Sequence, residues 1–467
     1  VPDAWKNDPQ RPVWIDGEYH YYYLYNADYP AGPVGTAWRL ATSTDLVSFT
    51  DRGVAVPKDT TPNGDVWSGS AVVDTDNTAG FGAGAVIVIA TMSPGGGTDH
   101  QEQFLYYSTD GGRTFTNHGT DPVLPNPGVT DFRDPKVIRD EDHDRWVMAL
   151  AEGTKVGFYH SADLKSWTYA GGFVKDGIGT LECPDLFRIT AEDGTVKWVL
   201  GVSANGKGSG LPNTYAYWTG AFDGSAFTAD AADPKWLDHG WDWYGAVTFE
   251  KRDTNGTLDP GARHAIGWLN NWDYANTAPT IDCDGFNGTD SIVRELSLKR
   301  DSAGTYYLAS RPVGALDAYV SRTVNLGDVT VDGTKVLDYT GISYEITTEI
   351  TWSQLTGAGL QLRRSPDGGR HIDAGIYNDY AFLNRRNTVN PDASGKWQES
   401  HTPFSHSAGT VKLRILVDRT SVEMYMDDGR YVHSSEVFPY LVDTGVALFT
   451  IDGTAVFRNT VIREFTV

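Results

Sequence analysis

Over roughly the first 300 residues, hydrophobic positions come in short extended runs rather than at helical spacing. Runs such as Phe104-Leu105-Tyr106-Tyr107 and Val156-Gly157-Phe158-Tyr159 are rich in aromatic and β-branched residues and end in compact polar turns. The turn has a recurring form. Ser43-Thr44-Asp45-Leu46-Val47-Ser48-Phe49, Ser108-Thr109-Asp110-Gly111-Gly112-Arg113-Thr114-Phe115 and Ser161-Ala162-Asp163-Leu164-Lys165-Ser166-Trp167 each place Ser two residues before Asp and an aromatic shortly after. Phe222-Asp223-Gly224-Ser225-Ala226-Phe227 is a degenerate fourth copy. Strand, Asp/Gly turn, strand is a hairpin signal. The copies recur about every 50 to 65 residues, the length of a four-stranded propeller blade. Asn7-Asp8, Ser68-Gly69-Ser70, Arg133-Asp134, Glu182-Cys183 and Asp242-Trp243-Tyr244 mark five starts of inner strands. The expectation is an all-β chain whose residues 1–310 form a five-bladed β-propeller.

Beyond residue 310 the texture changes. Arg311-Pro312-Val313-Gly314-Ala315-Leu316-Asp317 reads as a connector, placing a linker at 311–319. Tyr344–Ile350, Val411–Val417 and Ser421–Met426 then alternate with period two, and Asp332-Gly333 and Asp428-Gly429 supply turns. That pattern predicts an antiparallel β-sandwich over 320–467. No persuasive helical period appears.

A chain of 467 residues with 40% hydrophobic positions is large enough for two globular cores. Its formal net charge of −23, without a basic cluster in sequence, argues against nucleic acid and anionic membrane as partners. No apolar run approaches the roughly 20 residues that cross a bilayer. A neutral polysaccharide suits such a surface, and secretion is inferred from that substrate class, no signal peptide being visible. Cys183 and Cys283 are the two cysteines, equally compatible with a pair or with two free thiols. Asp282, Asp284 and Asp290 form an acidic stretch that reads as solvated rather than metal-binding, and Gly95-Gly96-Gly97 lacks the Lys and helix of a phosphate loop. No metal or cofactor is expected.

Three acidic signatures carry the chemistry: Asn7-Asp8-Pro9, Phe132-Arg133-Asp134-Pro135 and Glu182-Cys183-Pro184-Asp185. Glycosidic cleavage uses two carboxyl groups flanking the bond, and a propeller channel is an architecture in which residues 8, 134 and 182 can meet. With Trp67-Ser68-Gly69-Ser70 and Arg294-Glu295-Leu296, these motifs together resemble glycoside hydrolase family 32, and the likeness covers nearly the whole chain. The resemblance implies that Asp8 is the nucleophile on a fructofuranosyl unit, Glu182 the general acid/base, and Asp134 the stabiliser of the oxocarbenium-like transition state. Retention requires the working carboxyls about 5 to 5.5 Å apart. Arg133 is expected to keep Asp134 ionised, with Cys183 as a less polar neighbour of Glu182. Asn7 and Ser68 are the expected hydrogen-bond donors to fructose, and Trp38 and Trp67 the expected walls of the sugar pocket.

The chain departs from the family pattern around the first acid. Gln10-Arg11-Pro12 stands where the family has Asn-Gly, Lys6 replaces Met, Leu24 replaces a sugar-binding Gln, and Trp38-Arg39-Leu40-Ala41 replaces Trp-Gly-His-Ala. This variant looks like the levan-acting members of the family, endolevanases and levan fructotransferases. The expectation is cleavage of β-2,6 linkages of levan, with intramolecular transfer to a cyclic difructose dianhydride placed slightly ahead of hydrolysis. A broader β-fructofuranosidase or inulinase is the further alternative. Arg11, Arg39 and Trp14 are the candidates for holding the next fructose.

Overall fold

The structure, a computed structural model, describes residues 3–29, 35–93, 100–389, 395 and 397–467; Gly95–Gly97 lie outside them. The described residues group into two compact units, one of residues 1–236, 244–268 and 280–308, the other of 237–243, 269–279 and 309–467.

In the first unit the described strands form five antiparallel sheets, each a meander of four strands with short additions in two of them. The innermost strands are Ala4–Ile15, Asp65–Asp74, Arg133–Asp140, Leu181–Thr190 and Tyr244–Arg252. This is the five-bladed β-propeller. Blade 1 also gains a parallel strand, Phe286–Asn287, which follows the second strand of blade 5 in sequence and pairs with Ala4 and Trp5, so the last blade closes the ring onto the first.

The seams between blades explain why the second strands are so apolar. Ala85–Ser93 is buried at every position. Val86, Val88 and Ala90 pack with Trp38, Leu40 and Tyr22 of blade 1, whereas Ile87 and Ile89 pack with Val137, Met148 and Leu150 of blade 3. Alternate residues of one strand thus serve two different neighbours, which requires a continuous hydrophobic run.

The recurring Ser-x-Asp turn connects the third and fourth strands of a blade. Ser43 Oγ accepts from Leu46 N at 2.7 Å while Asp45 Oδ1 accepts from Val47 N and Ser48 N at 2.9 and 3.0 Å. Asp110, Asp163 and Asp223 hold their turns in the same way, and Asp301 does so in blade 5. A side-chain carboxylate replacing backbone partners is the physical basis of the repeat.

The second unit contains the β-sandwich. Gly445–Phe465 pairs with Gly357–Arg364 through its first half and with Tyr344–Trp352 through its second, so it belongs to both layers of a folded-over sheet. Ile346, Leu360, Ile372, Ile415, Met424 and Phe457 are among its core side chains. Residues 237–243 and 269–279, which precede the expected boundary, belong to this unit too. Arg385 shows why: buried in the sandwich, it donates to Asp242 Oδ2 at 2.5 Å and to the Tyr274 hydroxyl at 2.8 Å. The segment expected as a linker, 311–319, contains the end of the strand Tyr306–Pro312 and the 3-10 turn Gly314–Tyr319.

Candidate active site

Every innermost strand carries the same irregularity near its start. Lys6 and Pro9 pair with Tyr25 and Tyr23, Val66 and Gly69 with Met92 and Ala90, and Arg133 and Lys136 with Ala151 and Ala149. Glu182 and Asp185 pair with Ser203 and Gly201, and Tyr244 and Val247 with Trp268 and Ile266. In all five, three steps on the inner strand face two on its neighbour, which is one extra residue and hence a β-bulge. Bulges re-aim side chains. Those at or beside the bulges here are Asn7-Asp8, Trp67-Ser68, Asp134, Glu182-Cys183 and Tyr244-Gly245, so the five starts read from sequence converge at one end of the channel. Asp134, Cys183 and Gly245 hold φ of 64°, 45° and 56°, left-handed values that two non-glycine residues adopt here at a cost in strain.

Asp8 lies at the centre of this cluster. Ser68 Oγ donates to Asp8 Oδ2 at 2.8 Å, Asn7 Nδ2 approaches Oδ1 at 3.3 Å, and the Cys183 thiol lies 3.7 Å from Oδ2. Ser68 is itself oriented by Gln10 Nε2 at 3.0 Å, and Asn7 by the Trp5 indole N–H at 2.9 Å. Burial raises the Asp8 carboxyl to about 6, with Asp134 and Glu182 pushing the same way and Ser68 and Asn7 opposing.

Asp134 is buried and accepts the Cys183 backbone N–H at 2.9 Å, with the Cys183 thiol 3.6 Å away. Its own N–H donates to Thr91 Oγ1 at 2.9 Å, and Thr91 donates to Gln103 at 2.8 Å. Burial also raises Asp134 above the ordinary carboxylate range, and the opposing pull of Arg133 does not cancel it. Arg133 does pull Asp134 towards its ionised form, as expected, but burial outweighs it, and the guanidinium's closer partner is Glu182. Arg133 Nη2 donates to Glu182 Oε1 at 3.0 Å, whereas its nearest approach to Asp134 is 3.9 Å. Asp131 and Gln101 hold the other side of the guanidinium. Glu182 is partly exposed, and its second oxygen accepts from the Tyr244 hydroxyl. Cys183 likewise turns its thiol to Asp8 and Asp134, not to Glu182.

The remaining expected sugar contacts sit differently. Asn7 and Ser68 are engaged with Asp8. Trp38 has no exposed surface: its rings fill the seam between blades 1 and 2, and its indole donates to the Trp67 carbonyl at 2.9 Å. It positions the half-buried Trp67 and cannot wall a pocket. Arg39 makes a two-pronged pair with Asp51 at 2.6 and 2.9 Å and lies over the Tyr25 ring. Arg11 is buried, with its terminal nitrogens on the carbonyls of Gly69 and Pro184, and it lines, with Trp14, a cavity farther along the channel. Neither Arg11 nor Trp14 is placed to hold a fructose beside Asp8. Tyr244 and Gly245 are the site residues that the sequence reading missed as such; the inner-strand start at Asp242-Trp243-Tyr244 was the available signal. Lys6, the departure from Met, is buried against Asp290 at 2.6 Å and Tyr21 at 2.9 Å. That pairing takes Asp290 out of the acidic stretch, in which Asp282 and Asp284 are exposed. Both cysteines are free, Cys183 buried and Cys283 exposed.

Comparison with known proteins agrees with this architecture along its length. Residues 1–312 match the Glycosyl hydrolases family 32 N-terminal domain, and residues 316–464 match the Glycosyl hydrolases family 32 C terminal. A levanbiose-producing levanase of Bacillus subtilis (strain 168) is 52% identical over 467 residues, 100% of this chain and 89% of that protein. A levanase of the same organism is 36% identical, over 97% of this chain and 68% of its own length. Among solved structures, an exo-inulinase from Aspergillus awamori superposes with a TM-score of 0.87 at 26% identity, covering 100% of this chain and 97% of that one. A propeller with three carboxylates at one end of its channel, a sandwich after it, and both family domains matched in order leave one assignment: the chain belongs to glycoside hydrolase family 32, as a fructan-active enzyme.

Proposed function

We propose that this enzyme is a retaining levanase that hydrolyses β-2,6-fructofuranosyl linkages and releases a disaccharide. The observation that carries the reaction class is the meeting of Asp8, Asp134 and Glu182 on three bulged inner strands, each with its own hydrogen-bond partners. The substrate rests on the 52% identity to a levanbiose-producing levanase over the whole chain.

In this reading Asp8, ionised above about pH 6, attacks the anomeric carbon while Glu182 gives its proton to the departing oxygen. Ser68 and Asn7 fix the attacking carboxylate. Asp134 accepts hydrogen bonds from sugar hydroxyls and offsets the positive charge that builds on the ring. Glu182, returned to its carboxylate and oriented by Arg133 and Tyr244, then takes a proton from water as it attacks the fructosyl ester of Asp8. Hydrolysis rather than cyclising transfer is supported by the 52% identity to a levanbiose-producing levanase. Action outside the cell is supported by the 30% identity to an extracellular exo-inulinase of Aspergillus niger over 93% of this chain.

Product analysis on levan, inulin and sucrose tests the proposal. Levanbiose from levan, with slower turnover of the other two, is the expected result. A cyclic difructose dianhydride would replace hydrolysis by transfer, and free fructose as the first product would make the enzyme exo-acting.

A further inference from the structure

The inner strands run from the acid-bearing end of the channel to a second end, where they line a cavity of about 880 Å³. Three cations from distant parts of the chain meet there: Arg11 of blade 1, Lys136 of blade 3 and Arg263 of blade 5, all buried. One buried carboxylate answers them. Asp185 Oδ1 lies 3.4 Å from Lys136 Nζ, and its two oxygens also accept the backbone N–H groups of Leu186 and Thr248 at 3.0 and 2.8 Å. Arg263 donates through Nε to Thr248 Oγ1 at 3.0 Å, lies over the Phe187 ring, and feels the charges of Asp185 and Glu250. Arg11 Nε is buried with no hydrogen-bond partner. Of the other carboxylates lining the cavity, Glu250 pairs with Arg252 and also acts on Arg263, Asp259 pairs with Lys251, and Asp76 and Glu141 are exposed at the mouth.

Buried charge is unfavourable unless it is paired. Burial lowers Lys136 to about 8, Asp185 holds it up, and Arg11 and Arg263 lower it further, so the cations repel one another. This concentration of positive charge sits inside a protein whose overall charge is −23, where simple solvation of a basic surface does not account for it.

We propose that the channel end opposite the carboxylates binds a small inorganic anion, held by Lys136 and Arg263 with the buried charge of Arg11 behind them. The inference is independent of which fructan the enzyme cleaves. Ammonium and guanidinium donors on blades 3 and 5 would then be tied through one ion, which staples the ring from inside. A ligand that binds only the folded state stabilises it by an amount that grows with the logarithm of its concentration above Kd, so the site has a thermodynamic signature.

The test uses the full chain at pH 7 in low-ionic-strength HEPES, titrated separately with sodium bromide and sodium phosphate. The expected result is a melting temperature that rises with the logarithm of concentration, from a threshold set by Kd, for one or both anions. In Lys136→Met the anion concentration at which the rise sets in should be at least tenfold higher. A crystal of the unaltered protein soaked in bromide gives a readout that does not depend on the variant folding: an anomalous peak is expected between Lys136 and Arg263. A rise with phosphate alone identifies an oxyanion site, to be seen as density in a phosphate soak. A response equal in both proteins, with no peak or density in the channel under either soak, would overturn the proposal.

Discussion

Gly245 faces Asp8 so closely that a Cβ on it would lie 2.6 Å from Asp8 Oδ1 and 2.8 Å from Cγ. Its φ of 56° is also a left-handed value. Blade 5, which supplies no carboxylate to the cluster, thus forms the wall against which the nucleophile is set. Gly245→Ala should push the Asp8 carboxylate out of line. A misplacement of about 1 Å is enough to cost on the order of 100-fold in turnover, and the left-handed backbone adds about 1 kcal/mol of destabilisation. Steady-state kinetics on levan with a melting curve checks both; normal kcat would show that Asp8 tolerates the shift.

Asp8 is held in an environment that disfavours its working form. Its folded-state value of about 6 lies above that of an unfolded aspartate, so the ionised carboxylate costs stability above about pH 6, and the cost disappears below about pH 4. Asp8→Asn should therefore be more stable than the parent at pH 7, by about 1–3 kcal/mol, and equal to it near pH 4. Its turnover should fall by more than about 10³-fold. Melting curves at the two pH values decide the matter, and a variant destabilised at pH 7 would contradict this account of the site.

The same group sets the acid side of the activity profile. Protonated Asp8 cannot attack, so kcat/KM should decline tenfold per pH unit below about 6 in the free enzyme. Ser68 donates to the carboxylate and lowers its pKa, so Ser68→Ala should move that limb to higher pH. A limb that stays in place would remove Ser68 from this role.

Much of this site was legible in sequence because its signals are local. Asp8, Asp134 and Glu182 sit in short motifs, and the Ser-x-Asp turns are held by hydrogen bonds spanning two to four residues, so the blade repeat is visible without tertiary information. The five bulges were not visible, because a bulge is a mismatch between two strands rather than a property of either. Side-chain destinations were hidden for the same reason. Arg133 lies beside Asp134 in sequence yet reaches Glu182, 49 positions away. Trp38 and Arg11 were read as pocket residues from their motifs, but one fills a blade seam and the other bridges inner strands. Residues 237–243 join the sandwich unit through Asp242 and Arg385, a pairing across 143 positions.

Tyr244 gives a sharper test of Glu182. Its hydroxyl is buried and donates to the Glu182 oxygen that Arg133 leaves free. Tyr244→Phe keeps the ring and removes that donor, so packing should survive while the acid/base loses orientation. The expected outcome is a kcat reduced about 10- to 100-fold with little change in KM. An unchanged kcat would reduce Tyr244 to a packing residue.

The two thiols differ in a way that a colorimetric reagent can read. Cys283 is exposed on the short helix Thr280–Asp284, while Cys183 is buried with its sulfur against Asp8 and Asp134. Burial and those two carboxylates push the Cys183 thiol well above its ordinary value, so little thiolate is present to react. Ellman's reagent should label one thiol rapidly in the native enzyme and the second only after unfolding, with activity retained through the first phase. A rapid first phase that destroys activity would mean that Cys183 is open to solvent, and no reactive thiol even in denaturant would mean that the two are joined.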